Sequence, residues 1–167
     1  DLMAERFDVA IRAAEKLPDD STLVARKLMD LPIQLYASPA YLRRYGMPAH
    51  PDALKDHICL PLISSTGETQ PWVMHRDGER WQGTPSGVVS SNSPGLQREL
   101  VINGMGIAAL ADPFVRSGES PELMHCVLPQ WQLPKMTIWS VTPGRKLLPS
   151  RTLAFVSLLQ ERLAGKT

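Results

Sequence analysis

Two short polar segments carry the side chains best suited to bind a ligand. Ser64-Ser65-Thr66-Gly67 directly follows the apolar stretch 58–63, and Ser90-Ser91-Asn92-Ser93-Pro94-Gly95 directly precedes a run with helical spacing. Small hydroxyl and amide groups at a helix start, with the free backbone N–H groups and the dipole behind them, favour an anion such as a carboxylate. The plainer reading is that Ser93 caps the helix while Ser91 and Asn92 face water. Ligands in open α/β sheets gather beyond the carboxyl ends of strands, so Ser64, Ser65, Thr66 and Gly67 form a second candidate, against the reading of an ordinary polar turn. Arg12 closes the run 8–12 and could pair with an acidic ligand, or only with Asp8 or Glu15. Ala111-Asp112-Pro113 follows the apolar run 107–110 in the same manner, with Asp112 read as a cap for the next helix.

Covalent and acid–base chemistry find little support. No G-x-S-x-G, no G-x-x-x-x-G-K phosphate loop and no H-E-x-x-H is present, and His50, His57, His75 and His125 show no pairing with a nucleophile. Cys59 and Cys126 stand alone among apolar neighbours, without a second ligand at metal-binding spacing. Both read as small buried thiols in a reducing compartment. No enzyme activity, metal or cofactor is expected. Trp72, Trp81, Trp131 and Trp139 read as packing rather than as a stacking platform.

The elements that must position these residues are short. The chain has 167 residues with 43% apolar and 21% charged content, enough for one ordinary domain or two small lobes. A net charge of +1 leaves no footprint for a phosphate backbone, so DNA contact by this piece alone is disfavoured. No apolar run reaches the roughly 20 residues of a membrane span. Fifteen prolines and eleven glycines cut the chain into short β-like and helical runs, an α/β pattern. Strands are predicted at 9–11, 23–28, 33–37, 58–63, 87–90, 107–110, 123–128 and 136–141. A hairpin is predicted around Asp77-Gly78, which tolerates positive φ. Helices are predicted from Ser38-Pro39 to before Gly46, over 51–56, from Pro94 to near Gly104, over 113–117 and from about 149. Leu96, Leu100, Val101 and Met105 should share one helical face, and Leu153, Val156, Leu159 and Leu163 another.

The succession Phe7-Asp8-Val9-Ala10-Ile11-Arg12, Leu23-Val24-Ala25-Arg26-Lys27-Leu28 and Leu35-Tyr36-Ala37-Ser38-Pro39-Ala40-Tyr41-Leu42 resembles the LysR-type transcriptional regulators. The resemblance continues through His57-Ile58-Cys59-Leu60, Asn103-Gly104-Met105-Gly106-Ile107-Ala108-Ala109-Leu110 and the closing segment 147–159. It implies a type 2 periplasmic-binding-protein-like fold: two α/β lobes joined by a two-strand hinge, residues 1–30 with 143–167 in an incomplete first lobe and 31–142 in the second. The hinge crossings would lie at 28–32 and 141–144. It further implies a small-molecule effector bound between the lobes, with contacts from Arg12, from 64–67, from Ser91, Asn92 and Ser93, and from Ala111. The parent would be a cytoplasmic homodimer or tetramer that meets DNA only through an N-terminal helix-turn-helix preceding Asp1, with no membrane partner. A solute-binding protein of a transport system shares this fold and is the alternative. One departure is Ala13-Ala14, where many relatives carry Ile-Gly after the arginine, so the local turn and cleft shape would differ.

Overall fold

In the computed structural model, residues 8–17, 19–64, 67–116, 121–144 and 148–164 are described. Their elements run β1 (Ala10–Ala14), β2 (Leu23–Leu31), β3 (Ile33–Ala37), α1 (Pro39–Tyr45), β4 (Trp72–Arg76), β5 (Glu79–Gly83), α2 (Pro94–Ile102), β6 (Ala108–Ala111), α3 (Asp112–Arg116), β7 (His125–Val127), β8 (Met136–Pro143) and α4 (Ser150–Ala164), with 3-10 helices at Pro51–Asp56 and Pro121–Leu123. The backbone divides into two units. One comprises the segments up to Leu31 and from Lys135 on, and the other is Pro32–Pro134.

In the first unit, β1, β8 and β2 form an antiparallel sheet with β8 in the centre. All of β8 pairs within this sheet, and the division from the second unit falls before it, at 134/135. The β2 ladder shifts register between Lys27 and Met29, and the intervening Leu28 is buried. Asp30 then collects Lys27 Nζ at 2.7 Å, Lys135 Nζ at 2.6 Å and Thr137 Oγ1 at 2.9 Å. α4 packs on β2, and its buried side chains are Val156, which is 3% exposed, and Thr152. The expected apolar stripe is only partly realised. Val156 is buried and Leu159 and Leu163 are half-buried as expected, whereas Leu153 is 43% exposed and Thr152 takes the buried place beside Val156.

The second unit is built on the antiparallel sheet β6-β3-β7. Alternation along β3 sorts its side chains between two cores. Leu35 and Ala37 join Tyr41, Leu54, Cys59, Trp72, Met74, Ile107, Val127 and Trp131, while Tyr36 joins Leu60, Val101, Ala108, Leu110, Val115 and Met124. Each fully buried Leu or Met side chain contributes roughly 1.5–3 kcal/mol. Local signals place the flanking elements. Ser38 caps α1 by accepting from Tyr41 N at 3.2 Å, with Pro39 in the first turn. Asp77 and Gly78, at φ 47° and 85°, make the two-residue turn between β4 and β5.

Several predicted strands are not regular strands. Residues 58–63 are extended and largely buried, but they pair only through isolated parallel bridges, Cys59 with Ile107 and Leu62 with Ser91, and an antiparallel one, Ile63 with Thr69. Pro61, lacking an N–H, interrupts any ladder there. The predicted strand 87–90 is absent, with Val88 92% exposed, although Ser86 O accepts from Cys59 N at 3.1 Å. Gly87 and Gly106 let neighbouring chains approach this segment. A Cβ on Gly87 would lie 1.9 Å from Cys59 O, and one on Gly106 2.5 Å from Ile58 O. Of the predicted face α2 fully buries only Val101, and Gln97, outside that face, is buried beside it. Leu100 is half-buried, while Leu96 and Met105 are 50% and 43% exposed.

The other expectations divide similarly. The strand predicted at 123–128 is shorter, being preceded by the 3-10 turn at Pro121–Leu123. Both cysteines are free thiols, Cys59 buried and Cys126 only half-buried. Of the tryptophans, Trp72 and Trp131 are buried, and the half-buried pair satisfy their indole N–H groups: Trp81 on Asp52 Oδ1 at 2.9 Å and Trp139 on Ala14 O at 3.3 Å.

Candidate functional site

The parallel bridge between Leu62 and Ser91 brings the two polar segments together. Ile63 N donates to Ser91 O at 3.1 Å and Ser91 N to Pro61 O at 3.2 Å, so the chain leaves both segments at the same end of the bridge. The turn after Ile63 closes on itself. Ser64 N donates to Glu68 O at 2.8 Å, Gly67 N to Ser64 O at 3.0 Å, and Glu68 N to Ser64 Oγ at 3.1 Å. Gly67 adopts φ +84°, a conformation that needs no Cβ. Ser65 and Thr66 lie outside the described residues.

On the other strand of the bridge, Ser91 is 7% exposed, and its Oγ accepts from Ser93 N at 2.9 Å. Ser93 then caps α2, its Oγ accepting from Leu96 N at 3.3 Å. The simpler sequence reading of Ser93 is thus realised, and Asn92 between them is exposed. No acidic residue occupies the first turn of α2. The positive end of the helix dipole is therefore uncompensated by its own side chains. Gln97, one turn on, fixes the helix: its Nε2 donates to Leu60 O at 2.9 Å, and the side chain is 1% exposed.

Ala111 ends β6 opposite Ile33, half-buried. Asp112 differs from the predicted helix cap. Its carboxylate accepts from Tyr36 Oη at 2.5 Å and from Arg116 Nε at 2.6 Å. Burial works against ionisation of Asp112, but the hydrogen bonds from Arg116 and Tyr36 outweigh it and hold the carboxyl below its usual value. Burial, then the facing Asp112, pushes the Tyr36 phenol up, so it stays a donor. Sequence spacing could have shown the Asp112/Arg116 pair, which is i,i+4. Nothing local signals Tyr36, 76 positions away.

Arg12 belongs to the first unit, in β1 opposite Trp139, exposed and without an ion pair to Asp8 or Glu15. His50 lies against the carboxylates of Asp52 at 3.2 Å and Glu79 at 3.5 Å. His57 Nδ1 lies 3.2 Å from Tyr41 Oη, and burial lowers its basicity. The Cys59 thiol is pushed up to about 11 by burial, far from a reactive thiolate. Among the described residues no group of three His, Cys, Asp or Glu side chains could hold a metal ion, and no helix is long and apolar enough to cross a membrane.

The LysR substrate binding domain family matches residues 1–164. An HTH-type transcriptional regulator of Xanthomonas campestris pv. campestris is 34% identical over 170 residues, covering 98% of this chain and 48% of the relative. The HTH-type transcriptional regulator PtxR of Pseudomonas aeruginosa is 30% identical over 167 residues, covering 98% and 51%. The solved structure of CrgA, a LysR-type transcriptional regulator from Neisseria meningitidis, aligns with a TM-score of 0.81 at 28% identity, over 97% of this chain and 54% of that one. This chain thus spans about half the length of the curated relatives it matches. Its fold is the type 2 periplasmic-binding-protein-like arrangement. A match over nearly its whole length, supported by relatives and fold alike, places the chain in the LysR substrate-binding domain family.

Proposed function

We propose that this chain is the effector-sensing part of a LysR-type DNA-binding transcriptional regulator, and that its effector is a small carboxylate-bearing metabolite taken by the turn 64–67 and by Ser91, Asn92 and Ser93. The observation that carries this reading is the parallel Leu62/Ser91 bridge, which delivers a closed polar turn and the N-terminus of a nine-residue helix to one place. A carboxylate there gains charge-assisted bonds and a favourable dipole. Ala111, at the end of β6, completes the contact set proposed for the second unit; Arg12, exposed and without an ion pair among the described residues, is the first unit's candidate for an acidic ligand. The whole regulator would be a cytoplasmic homo-oligomer contacting DNA through its helix-turn-helix. The matched relatives are transcriptional regulators rather than enzymes or transport proteins, which supports a signalling role over catalysis or transport. Such a ligand acts only by its differential affinity for two states of the regulator.

Calorimetry on the full-length regulator, after a thermal-shift screen of metabolic carboxylates, tests this. Each charge-assisted bond is worth about 1.5–3 kcal/mol, so Asn92→Ala and Ser93→Ala should each weaken effector binding at least about tenfold. DNA binding without effector should be unchanged. Unaltered effector affinity in both variants would overturn the site assignment.

A further inference from the structure

We propose that the second unit carries a separate ligand site, a groove of about 500 Å³ lined by Gln34, Tyr36, Asp112, Val115, Met124 and Cys126, suited to an uncharged, half-apolar compound with an N–H or O–H donor. None of its lining residues belongs to the 64–67 or 91–93 segments.

β3 supplies Gln34 and Tyr36 from one face, β7 supplies Cys126 opposite Tyr36, and α3 supplies Asp112 and Val115. The volume falls within the range of small-molecule pockets, and the lining combines apolar surface with a few convergent polar groups. The chemistry of the occupant follows from which groups are already satisfied. Asp112 has Tyr36 on one oxygen and Arg116 on the other, so its charge is compensated in place. The Tyr36 phenol and Cys126 thiol are both pushed up, chiefly by burial, and stay neutral. Asp112 and Arg116, which also lines the groove, balance each other, so a charged ligand would meet no net counter-charge among the described lining residues to offset its lost hydration.

Gln34 is the exception. Its side-chain oxygen is buried and has no hydrogen-bond partner among the described residues, a condition costing on the order of a lost hydrogen bond. A donor on the ligand, with slight rotation of the carboxamide, relieves it. Val115 and Met124 offer apolar surface to the remainder, and the Met124 sulfur suits an aromatic ring.

The test compares phenylacetamide with its near-isosteric anion phenylacetate on the full chain, by amide chemical-shift titration. The amide should bind and shift the signals of Gln34, Tyr36, Val115 and Cys126, with the anion at least about fivefold weaker there. Gln34→Met keeps the length of the side chain but removes the acceptor, and should weaken the amide about fivefold or more. Asn92→Ala, which tests the effector site, should leave phenylacetamide affinity unchanged, so failure of either site is distinguishable from failure of the other. Equal affinity for amide and anion, no perturbation of the four signals up to the solubility limit, or a Gln34→Met variant that folds and binds as wild type would each overturn the proposal.

Discussion

The side chain of Gln97 and the carbonyl of Leu60 meet at 2.9 Å, a buried hydrogen bond that ties α2 to the chain two residues before the Leu62/Ser91 bridge. Gln97→Leu would leave that carbonyl buried without its donor, which costs about 1–3 kcal/mol. Urea unfolding should show a lower midpoint with an unchanged slope. A midpoint equal to wild type would mean that another group satisfies Leu60 O.

Tyr36 and Asp112 offer a second measurable link. Tyr36→Phe removes a donor to a carboxylate, a loss of about 1.5–3 kcal/mol for a well-buried pair, and the low end is expected because Asp112 is 23% exposed. Asp112→Asn and the double variant complete a cycle in which the two effects should be clearly non-additive. Additive losses would show that the contact contributes nothing in solution.

Asp30 predicts the acid behaviour of the first unit. The hydrogen bonds from Lys135, Lys27 and Thr137 hold its carboxyl far below the ordinary value. The folded state thus binds its proton less readily than the unfolded chain, whose carboxyl titrates near about 3.9. The stabilisation is complete above that pH and drains away as pH falls below it. Asp30→Asn should lower stability at neutral pH and flatten its decline below about pH 4, read from urea midpoints across a pH series. Parallel curves for the two proteins would refute the coupling.

Two glycines in one region should respond oppositely to alanine. At Gly87 a Cβ meets the Cys59 backbone oxygen at 1.9 Å, so Gly87→Ala forces displacement and costs at least about 1–3 kcal/mol. At Gly95, in the first turn of α2, the nearest atom is Ser93 Oγ at 3.8 Å, so Gly95→Ala should stabilise by about 0.4–1 kcal/mol. Thermal midpoints moving in the same direction would contradict the packing around residues 58–59.

What the sequence by itself determined was set by signals acting over a few positions. Ser38-Pro39 opens α1, Asp77-Gly78 turns the hairpin and Ser93-Pro94 opens α2, since a cap or a tight turn involves residues at most three or four apart. The ordered motifs also carried the family and hence the fold. What only the tertiary structure decided involves partners distant in the chain. Residues 58–63 read as a strand by composition, but Pro61 and the available neighbours leave only bridges. α2 reads as burying Leu96, but the Leu60 carbonyl across the interface selects Gln97. Asp112 reads as a cap, but Tyr36 lies closer in space than in sequence. The division between the units falls at 134/135, before β8, whose partners are β1 and β2. Local backbone preference is written in neighbouring residues, whereas burial and hydrogen-bond partnership depend on which surfaces the folded chain brings together.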